Sequence, residues 1–197
     1  MSKIGILGGT FNPIHNGHLT IAKHALIEQQ LDHVLIMPNH HPQYRSIEGV
    51  TDEDRINMIK LAIKYEDGFI YSDVEILREG ATYTVDTLRE LKSASPKDEF
   101  YFIMGADSLM YFDKWRYPDE IIKLANILVA VRGDDDILKC NKKIDELGYD
   151  DRITMLKSPN TIISSSDIRD RVRNNLDISE LVPESVSEYI VAHSLYI

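Results

Sequence analysis

Five times along the chain, a short run rich in β-branched and aromatic residues gives way to a segment with helical spacing. The pairs are KIGILGG with NGHLTIAKHALIEQQ, HVLIMPN with DEDRINMIKLAIKYE, FIYSDVEIL with TVDTLRELKSA, EFYFIMG with PDEIIKLAN, and ILVAVRG with ILKCNKKIDELG. Successive parallel strands need crossovers, and helical crossovers cover the sheet they connect. The alternation therefore predicts an α/β protein with a parallel sheet and helices on both faces. A sixth run, RITMLKS, is followed by Pro159 and by two helical patterns, SSSDIRDRVRNN and VPESVSEYIVAHSLYI, with no strand between them. The chain is expected to finish helically.

The 197 residues suffice for a sizeable core, and no repeat, low-complexity stretch or composition shift marks an internal boundary, so one domain over 1–197 is expected. A formal net charge of −10 argues against binding a nucleic-acid backbone by counterion release, which needs a basic face. Any anionic ligand must be held by a local cluster. No charged-then-apolar leader and no apolar run of membrane-spanning length is apparent, so a cytoplasmic protein without membrane association is expected. The single Cys140 has no partner for a disulfide or a zinc site and reads as a free thiol. Monomer and homo-oligomer are both compatible with the sequence.

Two acidic clusters have structural explanations. Thr51 stands three residues before Asp54, as an N-cap followed by an acidic first turn. Asp134-Asp135-Asp136 follows Gly133 where a helix should start and lacks the alternating ligands of a calcium loop. No protein-held metal is expected.

Chemistry is signalled first in GILGGTFNPIHNGH, residues 5–18. Ligands of open parallel sheets sit beyond the carboxyl ends of the strands, and the first strand-to-helix turn is the usual place for a phosphate. Gly8 and Gly9 fall there, where glycine lets backbone approach a ligand and the N–H groups of the next helix attract anions. Neither GxxxxGK[ST] nor GxGxxG is present, which argues against a P-loop NTPase and a dinucleotide-dependent dehydrogenase. His15 and His18, flanking Gly17, can point toward one site and meet a single phosphate. Such pairs also arise by chance in a chain that uses His24, His33, His40, His41 and His193, so the pair alone leaves both readings equally open.

A second candidate is Ile163-Ser164-Ser165-Ser166-Asp167-Ile168-Arg169. Serines at a helix N-terminus, with Arg169 in its first turn, gather hydroxyls, N–H groups and a guanidinium suited to another anion. Alone, such a segment is more often a capped helix; the two motifs together are far more specific.

GGTFNPIHNGH and ISSSDIR together resemble the signature of the nucleotidylyltransferase superfamily, G-[ST]-F-[DN]-P-x-H-x-G-H after the first strand and ISST-x-IR near the end, and the resemblance runs over essentially the whole chain. MPNHHP, TYTVDTL (Thr82 to Leu88), MGADS (Met104 to Ser108) and Lys114-Trp115 make the sequence similar to the bacterial nicotinate-mononucleotide adenylyltransferase family within it. That resemblance implies a Rossmann-like fold and transfer of AMP from ATP to nicotinate mononucleotide, with Mg²⁺ bridging the phosphates. It implies that His15, His18 and Arg169 are catalytic, and that Gly8, Gly9, Thr10, Phe11, Asp107, Ser165 and Ser166 bind ATP. It further implies that Asn39, Arg45, Thr84, Trp115 and Arg116 bind nicotinate mononucleotide, the ring stacking on Trp115 and backbone N–H groups near Thr84 and Arg116 taking the carboxylate. From the residues alone, Asp107 also reads as a helix cap and Trp115 as a core residue.

Three departures stand out. The PPH[KR] of the family appears as Pro42-Gln43-Tyr44-Arg45, the Thr of ISST is Ser166, and RPG is reduced to Arg132-Gly133. Among rivals, phosphopantetheine adenylyltransferase shares the first motif but not the Trp115 and TYTVDTL pair. Class I aminoacyl-tRNA synthetases share an HxGH-like sequence but would need a KMSKS-like lysine and a tRNA-binding domain. A nucleotide-sensing module would have little need of His15, His18 and Arg169 together.

Overall fold

The computed structural model describes residues 1–40, 50–78, 80–131, 133–156 and 163–197. Their order is β1 (Lys3–Gly9), α1 (Asn16–Glu28), β2 (His33–Pro38), α2 (Asp52–Ile63), β3 (Phe69–Tyr71), α3 (Thr84–Ala94), β4 (Glu99–Gly105), α4 (Ala106–Leu109), a 3-10 turn (Phe112–Lys114), α5 (Pro118–Leu124), β5 (Ala125–Ala130), α6 (Asp134–Leu147), β6 (Ile153–Leu156), α7 (Ser165–Arg173) and α8 (Glu184–Ala192). The strands form one sheet in the order β3-β2-β1-β4-β5-β6, every pair parallel. This is the Rossmann-like arrangement the sequence leads one to expect.

Alternation along the central strands fills two cores. Ile4 and Ile6 of β1 and Phe100, Phe102 and Met104 of β4 face α3, α5 and α6, meeting Val85, Leu88, Ile121, Cys140 and Ile144. Leu7, Tyr101 and Ile103 face the other way, onto a core built with Ala22, Met58, Ile168 and Ile190 of α1, α2, α7 and α8. Each large aliphatic side chain buried this way contributes about 1.5–3 kcal/mol. Helices thus cover both faces, and α7 and α8 follow β6 with no described strand between them.

Three details differ from the sequence reading. FIYSDVEIL is a strand only through Tyr71, whose partner on β2 is Ile36. Beyond it the chain turns, with the Leu77 N–H donating to the Asp73 carbonyl and Glu75 burying its side chain. An edge strand has one neighbour to pair with, so its own β propensity does not prolong it. In PDEIIKLAN the helix ends at Leu124 and β5 takes Ala125 and Asn126. The last helix stops at Ala192.

The two caps appear as the spacing suggests. Thr51 accepts from the Asp54 N–H while Asp54 accepts from the Thr51 N–H, a reciprocal box. Gly133, at φ 84°, precedes α6 and its three aspartates.

Candidate active site

In this sheet the strand order reverses at β1, between β2 and β4, so the crevice beyond the strand ends opens where Gly8-Gly9 and Gly105 stand. Gly8 is exposed, and a Cβ there would come no nearer than 3.8 Å to the Phe102 ring; at Gly105 nothing lies within 4 Å. Gly9 is a different case, because its hydrogen is covered by the Phe11 ring, which a Cβ would approach to 3.1 Å. Phe11 itself is 2% exposed at φ 48°, a left-handed backbone that a non-glycine residue adopts only when its surroundings impose it. The chain then passes through a cis Asn12–Pro13 bond into α1.

His15 is the N-cap of α1, and its Nδ1 accepts from the His18 N–H at 3.4 Å. His18 answers by accepting at Nδ1 from the His15 N–H at 3.3 Å. The imidazoles stack with centroids 3.6 Å apart, and His18 meets the Phe11 ring edge-on at 4.9 Å. With Nδ1 used as an acceptor, a neutral imidazole carries its proton on Nε2. Gly17 lies close beneath this stack, where a Cβ would sit 3.0 Å from the His15 Nδ1, a tight contact that the ring would have to yield to.

The second motif arrives at the same loop. Ser164 caps α7 by accepting from the Asp167 N–H, and its hydroxyl lies 3.1 Å from that of Ser166. The Ser165 hydroxyl donates to the Pro13 carbonyl at 2.9 Å, and Arg169 donates to the Asn12 carbonyl at 2.8 Å. Residues more than 150 positions apart are therefore joined through backbone carbonyls. Asn12 accepts a further bond at Oδ1 from the Tyr196 hydroxyl, whose ionisation burial pushes to higher pH.

Across the β1 and β4 ends lies a second group. Trp115 is half-buried, edge-on to Phe102 at 5.9 Å and tilted against Phe112 at 5.5 Å. It is packed on the core while remaining partly open to solvent. Next to it the Arg116 guanidinium lies 4.6 Å over the Tyr83 ring and 3.8 Å from Asp86. That contact ties the Trp115 turn to the start of α3, where Thr84 is the first helical residue and Tyr83 supplies no side-chain cap. Beneath α3, the Thr87 hydroxyl donates to buried Glu75 at 2.6 Å and receives Arg78 at 2.8 Å. Asp107 lies exposed on α4, directly after β4. Arg45, Tyr44 and Arg132 lie outside the described residues.

One residue the sequence reading passed over stands among these. Arg55 of α2 is fully buried, donating to the Thr10 carbonyl at 2.7 Å, the Asn39 carbonyl at 2.7 Å and Asp52 at 2.5 Å. Its signal was positional: at helical spacing from Met58, Ile59 and Ala62 it shares their inward face.

The donors gathered here are backbone N–H groups, hydroxyls, imidazoles and guanidinium groups, all suited to anionic oxygen. Among the described residues no group of three or more His, Cys, Asp or Glu is assembled to hold a metal ion, and no helix is long and apolar enough to cross a membrane.

Comparisons with known proteins give the same direction. The cytidylyltransferase-like family model matches residues 6–171. A protein of Lachnoclostridium phytofermentans described as a probable nicotinate-nucleotide adenylyltransferase is 42% identical over 100% of both chains. One of Dictyoglomus thermophilum with the same description is 40% identical over 99% of this chain and 100% of its own. Among solved structures, the Plasmodium falciparum nicotinic acid mononucleotide adenylyltransferase complexed with NaAD superposes with a TM-score of 0.81, covering 100% of this chain and 98% of the other at 22% identity, a likeness of fold.

Proposed function

The chain belongs to the cytidylyltransferase-like family and, within it, to the nicotinate-nucleotide adenylyltransferases, and we propose that its crevice joins the AMP of ATP to the phosphate of nicotinate mononucleotide. The products are nicotinate adenine dinucleotide and pyrophosphate. The observation that carries this reading is the meeting of the two motifs on one loop, where Ser165 and Arg169 donate to the Pro13 and Asn12 carbonyls just before the stacked His15 and His18.

The acceptor phosphate is already an anion at neutral pH, so its oxygen attacks the α-phosphorus in line without a covalent enzyme intermediate or a strong base. A new P–O bond forms there as the bond to the β-phosphate bridging oxygen breaks, and the electron pair leaves with pyrophosphate. Catalysis is then placement and charge stabilisation. His15 and His18 direct Nε2–H donors at the α-phosphate oxygens, where negative charge builds. Arg169 and the α7 N-terminus at Ser165 and Ser166 hold the β- and γ-phosphates. The backbone from Gly8 to Phe11 lines the triphosphate, and Asp107 accepts from ribose hydroxyls. On the far side the pyridine ring stacks on Trp115, and its carboxylate is taken by backbone N–H groups at Thr84 and Arg116, with Asn39 and Arg45 completing the acceptor pocket. Magnesium enters as part of the substrate, riding on the phosphates of ATP, which suits a donor set with few metal ligands. We place the reaction in the cytoplasm.

The test is pyrophosphate release from MgATP with nicotinate mononucleotide, nicotinamide mononucleotide and phosphopantetheine in separate reactions, compared by kcat/KM. Strong preference for nicotinate mononucleotide is expected. Turnover only with phosphopantetheine would overturn the acceptor pocket, and tight ATP binding without turnover would favour a sensing module.

A further inference from the structure

We propose that Arg55 is a positioning residue that fixes the ATP-lining loop after β1 to the acceptor-lining loop after β2, so that the two substrates meet in register. The inference rests on the reading that Thr10 lines the ATP side and Asn39 the acceptor side.

A guanidinium with no exposed surface is costly to bury and persists only where its N–H groups are taken up. Here the two terminal nitrogens are taken up by the two loops and by Asp52, and only Nε is left buried without a hydrogen-bond partner among the described residues. One terminal nitrogen donates to the Thr10 carbonyl, one residue past β1, and the other to the Asn39 carbonyl, one residue past β2. β1 and β2 are neighbours up to Gly9 and Pro38, and the Asn39 N–H still reaches the Gly9 carbonyl. Beyond that point the sheet ladder ends, and the planar fork of Arg55 continues the connection.

Asp52, one turn earlier on α2, supplies the counter-charge. Its Oδ1 accepts from Arg55 at 2.5 Å, and its Oδ2 lies 2.5 Å from Nδ1 of His40, the residue after Asn39. Burial alone pushes the Asp52 carboxyl up, but hydrogen bonds and charge from Arg55, and then from His40, hold it below its ordinary range. The acid therefore stays ionised and keeps the fork oriented. α2 is in turn held by the Thr51 box and, through Asp54 and Asn57, by the Tyr189 hydroxyl of α8. A fork geometry is needed, because an ammonium is a point charge that cannot span two carbonyls with the same planar spacing.

The experiment pairs Arg55→Lys with Asp52→Asn, the second keeping the shape of a half-exposed side chain should the first fail to fold. Two readouts are taken on chains shown to be folded by thermal melting. Amide hydrogen exchange is expected to rise at residues 9–15 and at 39–40 while β5 and α6 keep their protection. Steady-state kinetics with MgATP and nicotinate mononucleotide are expected to show kcat falling on the order of 10²-fold for Arg55→Lys and about tenfold for Asp52→Asn, with each KM within about threefold, since misplacement by about 1 Å is felt in the transition state. Unchanged exchange at both loops would overturn the tie. Raised exchange with unchanged kcat would overturn its part in the reaction, as would a rise in KM alone. A wild-type protein that turns over no pyridine nucleotide would instead defeat the proposed acceptor, and exchange at the two loops would still decide whether Arg55 holds them.

Discussion

Where the two motifs meet, Asn12 and His15 are each 5% exposed and Arg55 not at all, and what fixes them are hydrogen bonds to backbone carbonyls and N–H groups. Across the strand ends, Tyr111 and Tyr117 are 59% and 54% exposed, and contact there runs through rings, guanidinium groups and surface ion pairs such as Arg116 with Tyr83 and Asp86. The first arrangement is rigid because each lost bond strands a buried polar group; the second is compliant because its charges remain hydrated. A group that must stabilise fleeting charge gains from rigidity, and a pocket that must admit and release a nucleotide gains from compliance. Substitutions on the first side should therefore fall on kcat, and those on the second on KM.

The strongest way to break this contrast is His18→Ala. It removes one Nε2–H donor and half of the cap, so kcat should fall by about 10²-fold or more while the fold survives with about 1 kcal/mol lost. Unchanged kcat in a steady-state assay would sink the assignment. Next, Trp115→Ala should raise KM for the acceptor about tenfold, the scale of one aromatic stack, with kcat nearly preserved, and Trp115→Phe should restore most of it. A loss confined to kcat would erase the distinction between the two sides. Tyr196→Phe should cost about 1 kcal/mol in a denaturant titration, the worth of one neutral hydrogen bond left open at Asn12.

The smallest effect should be at Glu75, and it carries a pH signature. Burial raises this carboxyl, partly offset by the Thr87 bond and the Arg78 charge, so the folded chain holds the proton more readily than the unfolded one. Stability is then fully present below the unfolded value of 4.5 and declines as pH rises through the elevated folded value. Glu75→Gln should melt above wild type at about pH 7.5, with the gain vanishing near the unfolded value. A pH-independent difference would show that Glu75 is not buried as a titrating acid.

The sheet was legible because the runs at Ile4–Leu7 and Phe100–Met104 alternate between two buried faces, a pattern written residue by residue. His15, His18, Ser165 and Arg169 were legible because helix starts and anion-binding chemistry leave compact local signatures. Other features are not set locally. β3 stops at Tyr71 although its β-rich run continues, and α4 spans too few residues to show a period. Arg55 has a local signal in its helical spacing from Met58, Ile59 and Ala62, but its hydrogen-bond partners are carbonyls 45 and 16 residues away, which no local pattern announces. The Ser165 hydroxyl, expected to face a phosphate, donates to the Pro13 carbonyl 152 positions away, a contact that only the folded chain displays.

The bond from Tyr196 to Asn12 spans 184 positions. On a ribosome, at about 5–20 residues per second, the loop bearing the histidines would wait roughly 10–40 s for the tyrosine that steadies it. A nascent or prematurely ended chain thus carries the histidine-bearing loop without its last brace.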